Sequence, residues 1–280
     1  MTAIRTIKLP SGSDVPVLGQ GTWYMGEDAR RRNEEAAALK LGIDLGMTLI
    51  DTAEMYAQGG AEAVVGQALE GRRDSVFLVS KVLPSNASRS GTIRACEQSL
   101  RRMRTDSIDL YLLHWRGGYA LDETIAGFET LIESGKIRSW GVSNFDVGDM
   151  EELYAAGGGD AVCVNQILYN LKRRNPEVEL IPWCVSRNIP LMAYSPIEQG
   201  RLLNHPALAA IAQELETTAA AVALAWVLGQ NGVIAIPKSG NPKHIHENRR
   251  AADIRLAPVQ IDRLNQAFER PRRKMPLEML

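Results

Sequence analysis

The chain has few cysteines, and they show none of the spacing that cysteine chemistry requires. Cys96, Cys163 and Cys184 lie far apart, without a CxxC pair and without neighbouring histidines. A disulfide framework needs paired cysteines, and a structural zinc site needs clustered Cys and His ligands. We therefore expect reduced thiols, no bound metal and a cytoplasmic protein.

The sequence also lacks a long apolar segment and an excess of either charge. Its longest apolar run, residues 219–228, is far shorter than the ~18 residues that cross a bilayer. The N-terminus shows no basic segment followed by an apolar stretch and a cleavage site. With 32 Lys and Arg against 33 Asp and Glu, the net charge of −1 excludes a chain-wide polycation. We expect a monomer without a nucleic-acid or membrane partner.

What is present is the composition of an ordinary globular protein, 45% hydrophobic and 23% charged over 280 residues. That length fits two domains of about 150 residues or one α/β barrel of about 250. Eight apolar, strand-like runs favour the barrel, because they alternate with helical patterns and no Pro/Gly/Ser-rich linker divides them. The predicted strands cover residues 15–19, 48–51, 76–81, 108–114, 137–142, 161–166, 190–194 and 233–236. The predicted helices cover residues 31–45, 89–104, 122–134, 147–156, 176–187 and 217–228. Residues 1–280 are thus predicted to form a single-domain (β/α)8 TIM barrel with a short C-terminal tail, 270–280.

Four reactive side chains fall at the C-terminal ends of predicted strands, where barrel active sites lie. Asp51, Lys81 and His114 end three strands, and Tyr56 follows Asp51 closely; we call these residues the rim quartet. Taken singly, each has a structural alternative: respectively a turn cap, a solvated lysine, a buried imidazole and a core-edge ring. Together they follow apolar residues toward one rim, where an isolated buried charge would be costly. We therefore expect Asp51 and Lys81 to pair in a closed polar site.

The rim quartet suits the reduction of an aldehyde or ketone, in which a hydride reaches carbon and a proton must reach oxygen. A free tyrosine has a pKa of about 10, so proton transfer near neutral pH requires a cation that stabilises the phenolate. Lys81 supplies that charge, and Asp51 keeps Lys81 protonated and in place. His114 is placed to donate a hydrogen bond to the carbonyl oxygen.

Eight short motifs resemble those of the aldo-keto reductase family and follow the family's order. They are Gly19-Gln20-Gly21-Thr22-Trp23, Asp51-Thr52-Ala53-Glu54-Met55-Tyr56, Val79-Ser80-Lys81, Leu113-His114, Gly141-Val142-Ser143-Asn144-Phe145, Asn165-Gln166, Tyr194-Ser195-Pro196 and Ile236-Pro237-Lys238-Ser239. In its sequence segments the chain most resembles compact bacterial members that reduce methylglyoxal and other small aldehydes. The resemblance implies NADPH-dependent carbonyl reduction, with the rim quartet as catalytic residues and Tyr56 as the general acid.

The resemblance also implies a set of cofactor and substrate contacts. It places Ser143, Asn144 and Gln166 on the nicotinamide carboxamide, Tyr194 against the ring, and Ser195, Pro196 and the loop 197–202, with Gly200, around the pyrophosphate. It places Thr22 and Trp23 on the other side of the cofactor, and Trp23, Tyr24, Met55 and Trp115 around the substrate.

At the adenine end the sequence departs from the family pattern. Lys238 and Ser239 match the residues that bind the 2′-phosphate, and Glu247 and Asn248 match adenine contacts, but His244 stands where an arginine is usual. Arginine is a permanently charged planar fork, and histidine is not. The expected cofactor is NADPH, with NADH as an alternative.

Two other functions stay open at this stage. Lys81 at a strand end is also compatible with a Schiff-base aldolase. A cofactor-binding regulatory subunit without significant turnover is the third candidate. If the protein is a reductase, the short segments after His114 and after Phe268 predict an open pocket of broad selectivity.

Overall fold

The computed structural model describes residues 2–280. It begins with an antiparallel hairpin of β1 (Thr6–Lys8) and β2 (Asp14–Pro16). Leu9 and Val15, from this hairpin, are buried in the same apolar cluster as side chains from the barrel strands. The hairpin therefore closes one end of the barrel and leaves the other end for the site.

Eight parallel strands form the central sheet, and their spatial order follows their order in the chain. They are β3 (Gln20–Gly21), β4 (Leu49–Asp51), β5 (Phe77–Val82), β6 (Ile108–Leu113), β7 (Ile137–Ser143), β8 (Asn165–Leu168), β9 (Leu191–Tyr194) and β10 (Val233–Ala235). Parallel bridges from Leu18 to Ala235 and from Gly21 to Lys238 bring the last strand beside the first. The sheet is thereby closed into a barrel.

Helices cover the outside of the sheet. They are α1 (Arg32–Asp44), α2 (Gly60–Leu69), α3 (Arg89–Met103), α4 (Leu121–Glu133), α5 (Val147–Ala155), α6 (Leu180–Val185), α7 (Pro206–Glu214), α8 (Ala219–Leu228), α9 (Pro242–Ala251) and α10 (Pro258–Ala267). No single helix of residues 2–280 is long and apolar enough to cross a membrane, although α7 and α8, bent by 91° at their junction, pass such a test as a pair.

The closed sheet of eight parallel strands with helices outside it confirms the predicted (β/α)8 barrel.

The prediction of a first barrel strand at residues 15–19 is right only in its second half, where Leu18 bridges Ala235 at the barrel seam. Residues 14–16 belong to the hairpin, and the barrel strand is Gln20–Gly21. Val15 and Val17 gave the stronger apolar signal, whereas the Gln-Gly pair has little strand propensity and is extended because β4 and β10 flank it. The strand predicted at 161–166 is observed at Asn165–Leu168.

Four helices were not predicted, namely α2, α7, α9 and α10. Helix α2 contains Gly60 and Gly66, which lower helix propensity. Gly66 is nevertheless required, because an added Cβ would lie 2.8 Å from the Met103 carbonyl oxygen of α3. Helix α2 therefore depends on close packing against α3, which a local sequence pattern does not show.

Candidate active site

The period-two alternation of the strands places three members of the rim quartet inside the barrel. On β5, Val79 packs in the interior cluster and Lys81 is the next inward position. Asp51 on β4 and His114 just after β6 each follow an interior leucine by the same two-residue step. The regular geometry of the sheet therefore brings these side chains to one end of the barrel interior.

Lys81 lies at the centre of the rim quartet and is fully buried. Its ammonium donates to Asp51 Oδ2 at 2.8 Å, to the Thr52 carbonyl oxygen at 3.0 Å and to the Tyr56 hydroxyl at 3.1 Å. An ammonium has three donors, so these three bonds use all of them. The predicted pairing of Lys81 with Asp51 is therefore present, and Tyr56 joins the pair.

Burial and charge act in opposite directions on Tyr56. Burial raises the pKa of its hydroxyl above the ordinary value, and Lys81 lowers it without cancelling that effect. Burial also disfavours the Lys81 ammonium, but attraction to Asp51 and Tyr56 leaves the pKa of Lys81 raised. The sequence led us to expect that Lys81 lowers the pKa of the general acid Tyr56; burial instead leaves that pKa raised, and both groups are protonated at neutral pH.

His114 is held in its neutral form. Burial, reinforced by the nearby Lys81 charge, lowers the pKa of the imidazole to about 2. Its ring lies 5.8 Å from the Tyr56 ring and 5.0 Å from the Trp115 ring, centroid to centroid. Its Nδ1 is buried and has no hydrogen-bond partner among residues 2–280. A neutral imidazole retains one N–H donor, which suits a carbonyl oxygen as acceptor.

A cavity of about 680 Å³ opens above the rim quartet, within the range of small-molecule sites. Asp51, Tyr56 and His114 line it, and Lys81 lies beneath them, outside the lining. The other predicted site residues that line it are Thr22, Trp23, Tyr24, Met55, Trp115, Ser143, Asn144, Gln166, Tyr194, Ser195, Pro196, Gly200, Lys238 and His244. The cavity therefore joins most of the residues that the family resemblance selected.

The residues predicted to contact the nicotinamide are hydrogen-bonded to each other and to the rim quartet. Gln166 Nε2 donates to Asp51 Oδ1 at 2.7 Å. Asn144 Nδ2 donates to the His114 carbonyl oxygen at 3.1 Å, and its Oδ1 accepts from the Tyr194 hydroxyl at 2.9 Å. These bonds fix the amide groups at one edge of the cavity.

The loop predicted to surround the pyrophosphate has an unusual backbone. Ser195, Glu198, Gln199 and Gly200 all have positive φ, and at +85° the Gly200 backbone favours glycine. The buried Glu198 carboxylate anchors this loop, because Arg173 donates to it at 2.8 Å. The loop is therefore held in one shape, in which Ser195, Pro196 and Gly200 line the cavity.

Three predicted nucleotide contacts lie outside the cavity lining. Ser239 is in the loop after β10, where its hydroxyl accepts from the Asn241 amide at 3.0 Å. Glu247 and Asn248 lie on α9, the helix that also carries the lining residue His244. The structure thus places all three next to the end of the cavity that Lys238 marks.

The C-terminal tail contributes cavity residues that the sequence analysis missed. Met279 and Leu280 line the cavity, and Glu278 forms an ion pair with Arg173. Asn175 Nδ2 donates to Glu278 Oε2 at 3.1 Å. Two apolar residues that follow a basic, proline-containing segment were the available signal.

The donor set fits a dinucleotide better than a metal. The cavity lining combines the Tyr194 ring, the amides of Asn144 and Gln166, the glycine backbone of Gly200 and the cation Lys238. Within residues 2–280, no group of three or more His, Cys, Asp or Glu side chains is arranged to hold a metal ion. That the protein needs no metal stays a prediction.

Comparison with known proteins agrees with this geometry. Residues 17–269 match the model of the Aldo/keto reductase family. The chain is 50% identical to methylglyoxal reductase YeaE of Escherichia coli K12 over 281 residues, covering 99% of each protein. It is 34% identical to a glyoxal reductase of Bacillus subtilis, covering 93% of this chain and 91% of that one.

Solved structures give the same result. An aldo/keto reductase from Klebsiella pneumoniae in complex with NADP and acetate has a TM-score of 0.97 at 47% identity, covering 99% of this chain and all of that one. A structure of an aldo-keto reductase from the same organism with NADPH has the same TM-score and identity and covers all of both chains. The protein is therefore a member of the aldo-keto reductase family.

Proposed function

We propose that the protein reduces small aldehydes and ketones, including dicarbonyls such as methylglyoxal, to alcohols with NADPH. The observation that carries the proposal is the hydrogen bond from the buried Lys81 ammonium to Tyr56 at the floor of the cavity. Relatives that are methylglyoxal and glyoxal reductases support the substrate class. When bound, the reduced nicotinamide supplies the hydride.

The hydrogen bond from Lys81 leaves the proton of Tyr56 available. Because an ammonium has no lone pair, the Tyr56 oxygen must be the acceptor in the bond from Lys81. Its own proton is therefore free for a substrate oxygen in the cavity. Asp51 and the Thr52 carbonyl hold Lys81 in this position. We assign Tyr56 as the general acid: Lys81 positions it and opposes further loss of its acidity, and Asp51 holds Lys81 in place.

His114 has a different part in this proposal. As a neutral imidazole beside Tyr56, it donates a hydrogen bond to the substrate oxygen and orients the carbonyl for protonation. Trp23, Tyr24, Met55 and Trp115 form the apolar sides of the substrate region. Tyr24 and Met55 are half-exposed, which supports the prediction of broad selectivity.

The cofactor contacts are proposed residue by residue. Ser143, Asn144 and Gln166 bind the carboxamide, Tyr194 lies against the ring, and the backbone of 195–200 binds the pyrophosphate. Thr22 and Trp23 cover the cofactor, and Lys238, Ser239, His244, Glu247 and Asn248 bind the adenosine 2′-phosphate end. NADPH is the preferred cofactor in this proposal, with NADH used less well.

Lys81 is poorly suited to the alternative of a Schiff-base aldolase. A Schiff base requires the neutral amine, whereas Asp51 and Tyr56 raise the pKa of Lys81 and its three donors are occupied. No specific contact favours a regulatory subunit without turnover. The monomeric state, the cytoplasmic location and the assignment of 270–280 as a tail of a single domain stay predictions.

Steady-state kinetics test the proposal. We expect loss of the reduced-nicotinamide absorbance when the protein is mixed with NADPH and methylglyoxal or an aromatic aldehyde, and slower turnover with NADH. Borohydride should trap no carbonyl adduct on Lys81. Tight NADPH binding without turnover on a broad aldehyde panel would instead favour the regulatory subunit.

A further inference from the structure

The expected site for the 2′-phosphate has one cation fewer than the family pattern, because His244 stands where an arginine is usual. At neutral pH a histidine offers less positive charge than an arginine and no planar fork of donors. Of the residues that the resemblance assigned to this phosphate, only Lys238 has a basic side chain. A phosphate monoester carries close to two negative charges at pH 7.

The fold brings a second cation, Arg31, to the same place. A Cβ added at Gly240 would lie 3.7 Å from Arg31 Nη2, the one atom within 4 Å among residues 2–280 apart from Gly240 and its two chain neighbours. Gly240 lies two residues after Lys238 in the loop between β10 and α9. The bridge between Gly21 and Lys238 holds the start of the segment leading to Arg31 beside this loop. Arg31 therefore reaches the phosphate end of the cavity from across the barrel seam.

The Arg31 guanidinium has donors to spare. Its nearest ionic contact is 3.9 Å, to the exposed Glu34, and it donates no side-chain hydrogen bond within residues 2–280. Arg30, by contrast, donates through Nε and Nη2 to Asp28 at 2.9–3.2 Å. The two neighbouring arginines thus differ in whether their donors are already engaged.

The charge of Arg31 affects the pKa of Lys238. Partial burial lowers the pKa of Lys238, Glu35 opposes that effect, and Arg31 lowers the pKa further. The Glu35 carboxylate is itself engaged, since it accepts from the Gly26 amide at 2.8 Å. Two mutually repelling cations with few fixed partners are the arrangement that a phosphate dianion stabilises.

We propose that Arg31 and Lys238 together bind the 2′-phosphate of NADPH, and that Arg31 supplies the guanidinium that His244 does not. Arg31 is thereby a determinant of the preference for NADPH over NADH. The inference rests on the proposed function, because it needs the cofactor to lie with its adenosine end at Lys238. It extends that function by assigning a residue of the segment between β3 and α1 that no family motif covers.

Calorimetric titration with 2′,5′-ADP and with 5′-AMP tests the proposal without turnover. Arg31→Ala should weaken 2′,5′-ADP binding roughly tenfold, as expected for a charge-assisted hydrogen bond, and leave 5′-AMP binding unchanged. Arg30→Ala is the matched control, with no change for either ligand. Adding His244→Arg to Arg31→Ala should restore most of the lost 2′,5′-ADP affinity.

Several outcomes would overturn the assignment. Unchanged 2′,5′-ADP binding in Arg31→Ala excludes a phosphate contact, and an equal loss for both ligands shows that Arg31 acts on the adenosine region instead. If the wild-type protein prefers 2′,5′-ADP and the variant keeps that preference, only the role of Arg31 fails. If the wild-type protein shows no preference, the NADPH assignment in the proposed function fails with it.

Discussion

The two ends of the cavity are built in different ways. At the rim quartet, Asp51 and Lys81 project from regular strands, are buried, and bond to each other within the protein. At the nucleotide end, defined here as Arg31, Lys238, Ser239 and His244, the cations lie on loops and helix starts. Among residues 2–280, the one ionic contact of Arg31 there is the 3.9 Å contact to Glu34. At the rim quartet the charged groups are paired within the protein, whereas the cations of the nucleotide end have few fixed partners.

Because the two ends are built differently, we expect them to control different properties of the protein. Burial and the three hydrogen bonds of Lys81 fix the protonation and position of Tyr56 before any substrate arrives, so changes there should affect turnover and stability. The nucleotide end gains its partners on binding, so changes there should affect cofactor affinity and little else. Substitutions at each end therefore test whether the division holds.

The largest effect is expected for Tyr56→Phe, which removes the proposed acid and keeps the ring. We expect kcat to fall by about 10²- to 10⁴-fold, the usual contribution of a positioned general acid, while NADPH binding persists. Turnover with methylglyoxal and titration of the cofactor fluorescence measure the two quantities. The matched control is Tyr24→Phe, at the half-exposed edge of the same cavity, which should keep most of its activity. Wild-type turnover in Tyr56→Phe would remove Tyr56 from the mechanism.

Lys81→Met should have the next largest effect, this time on stability. The substitution leaves the buried Asp51 carboxylate without its cation, and breaking a buried pair in this way costs about 3–5 kcal/mol. Denaturant unfolding of the cofactor-free protein measures the loss. Combining it with Asp51→Asn removes the stranded charge and should recover part of the stability. A single substitution that costs almost nothing would show that Asp51 is not desolvated as described.

Gly200→Ala addresses the nucleotide side with a smaller effect. An alanine at φ +85° is strained by about 1–2 kcal/mol, and the nearest atom to its Cβ, Leu203 Cδ1, lies at 3.9 Å, so no clash adds to the cost. Gly12→Ala is a matched control, since Gly12 has φ +90° and its added Cβ meets no atom of residues 2–280 within 4 Å. Both should lose similar unfolding free energy, but only Gly200→Ala should weaken NADPH binding. Equal cofactor affinity in the two variants would argue against a pyrophosphate contact at 195–200.

The same division explains how far the sequence could predict this molecule. Asp51, Lys81 and His114 were predictable because strand ends in a barrel share one rim and the period of two fixes their direction. Arg31 was not, since its proximity to Lys238 depends on closure of the barrel between the first and last strands. The net pKa of Tyr56 was also beyond the sequence, because it depends on the extent of burial around the ring.

The smallest expected effect concerns the pH dependence of the reduction, where we expect no inflection from His114. With burial and Lys81 lowering the pKa of His114 to about 2, the imidazole stays neutral from pH 5 to 8, and no inflection should occur near the ordinary value of 6.5. The raised pKa of Tyr56 keeps its acid form populated up to at least its ordinary value of 10.0, so loss of the Tyr56 proton should not lower kcat/KM below about pH 10. The measurement is kcat/KM for methylglyoxal with NADPH across pH 5 to 10 at constant ionic strength. An inflection near 6.5 that disappears in His114→Gln would mean that water solvates the imidazole, and the rim quartet would then be as open as the nucleotide end.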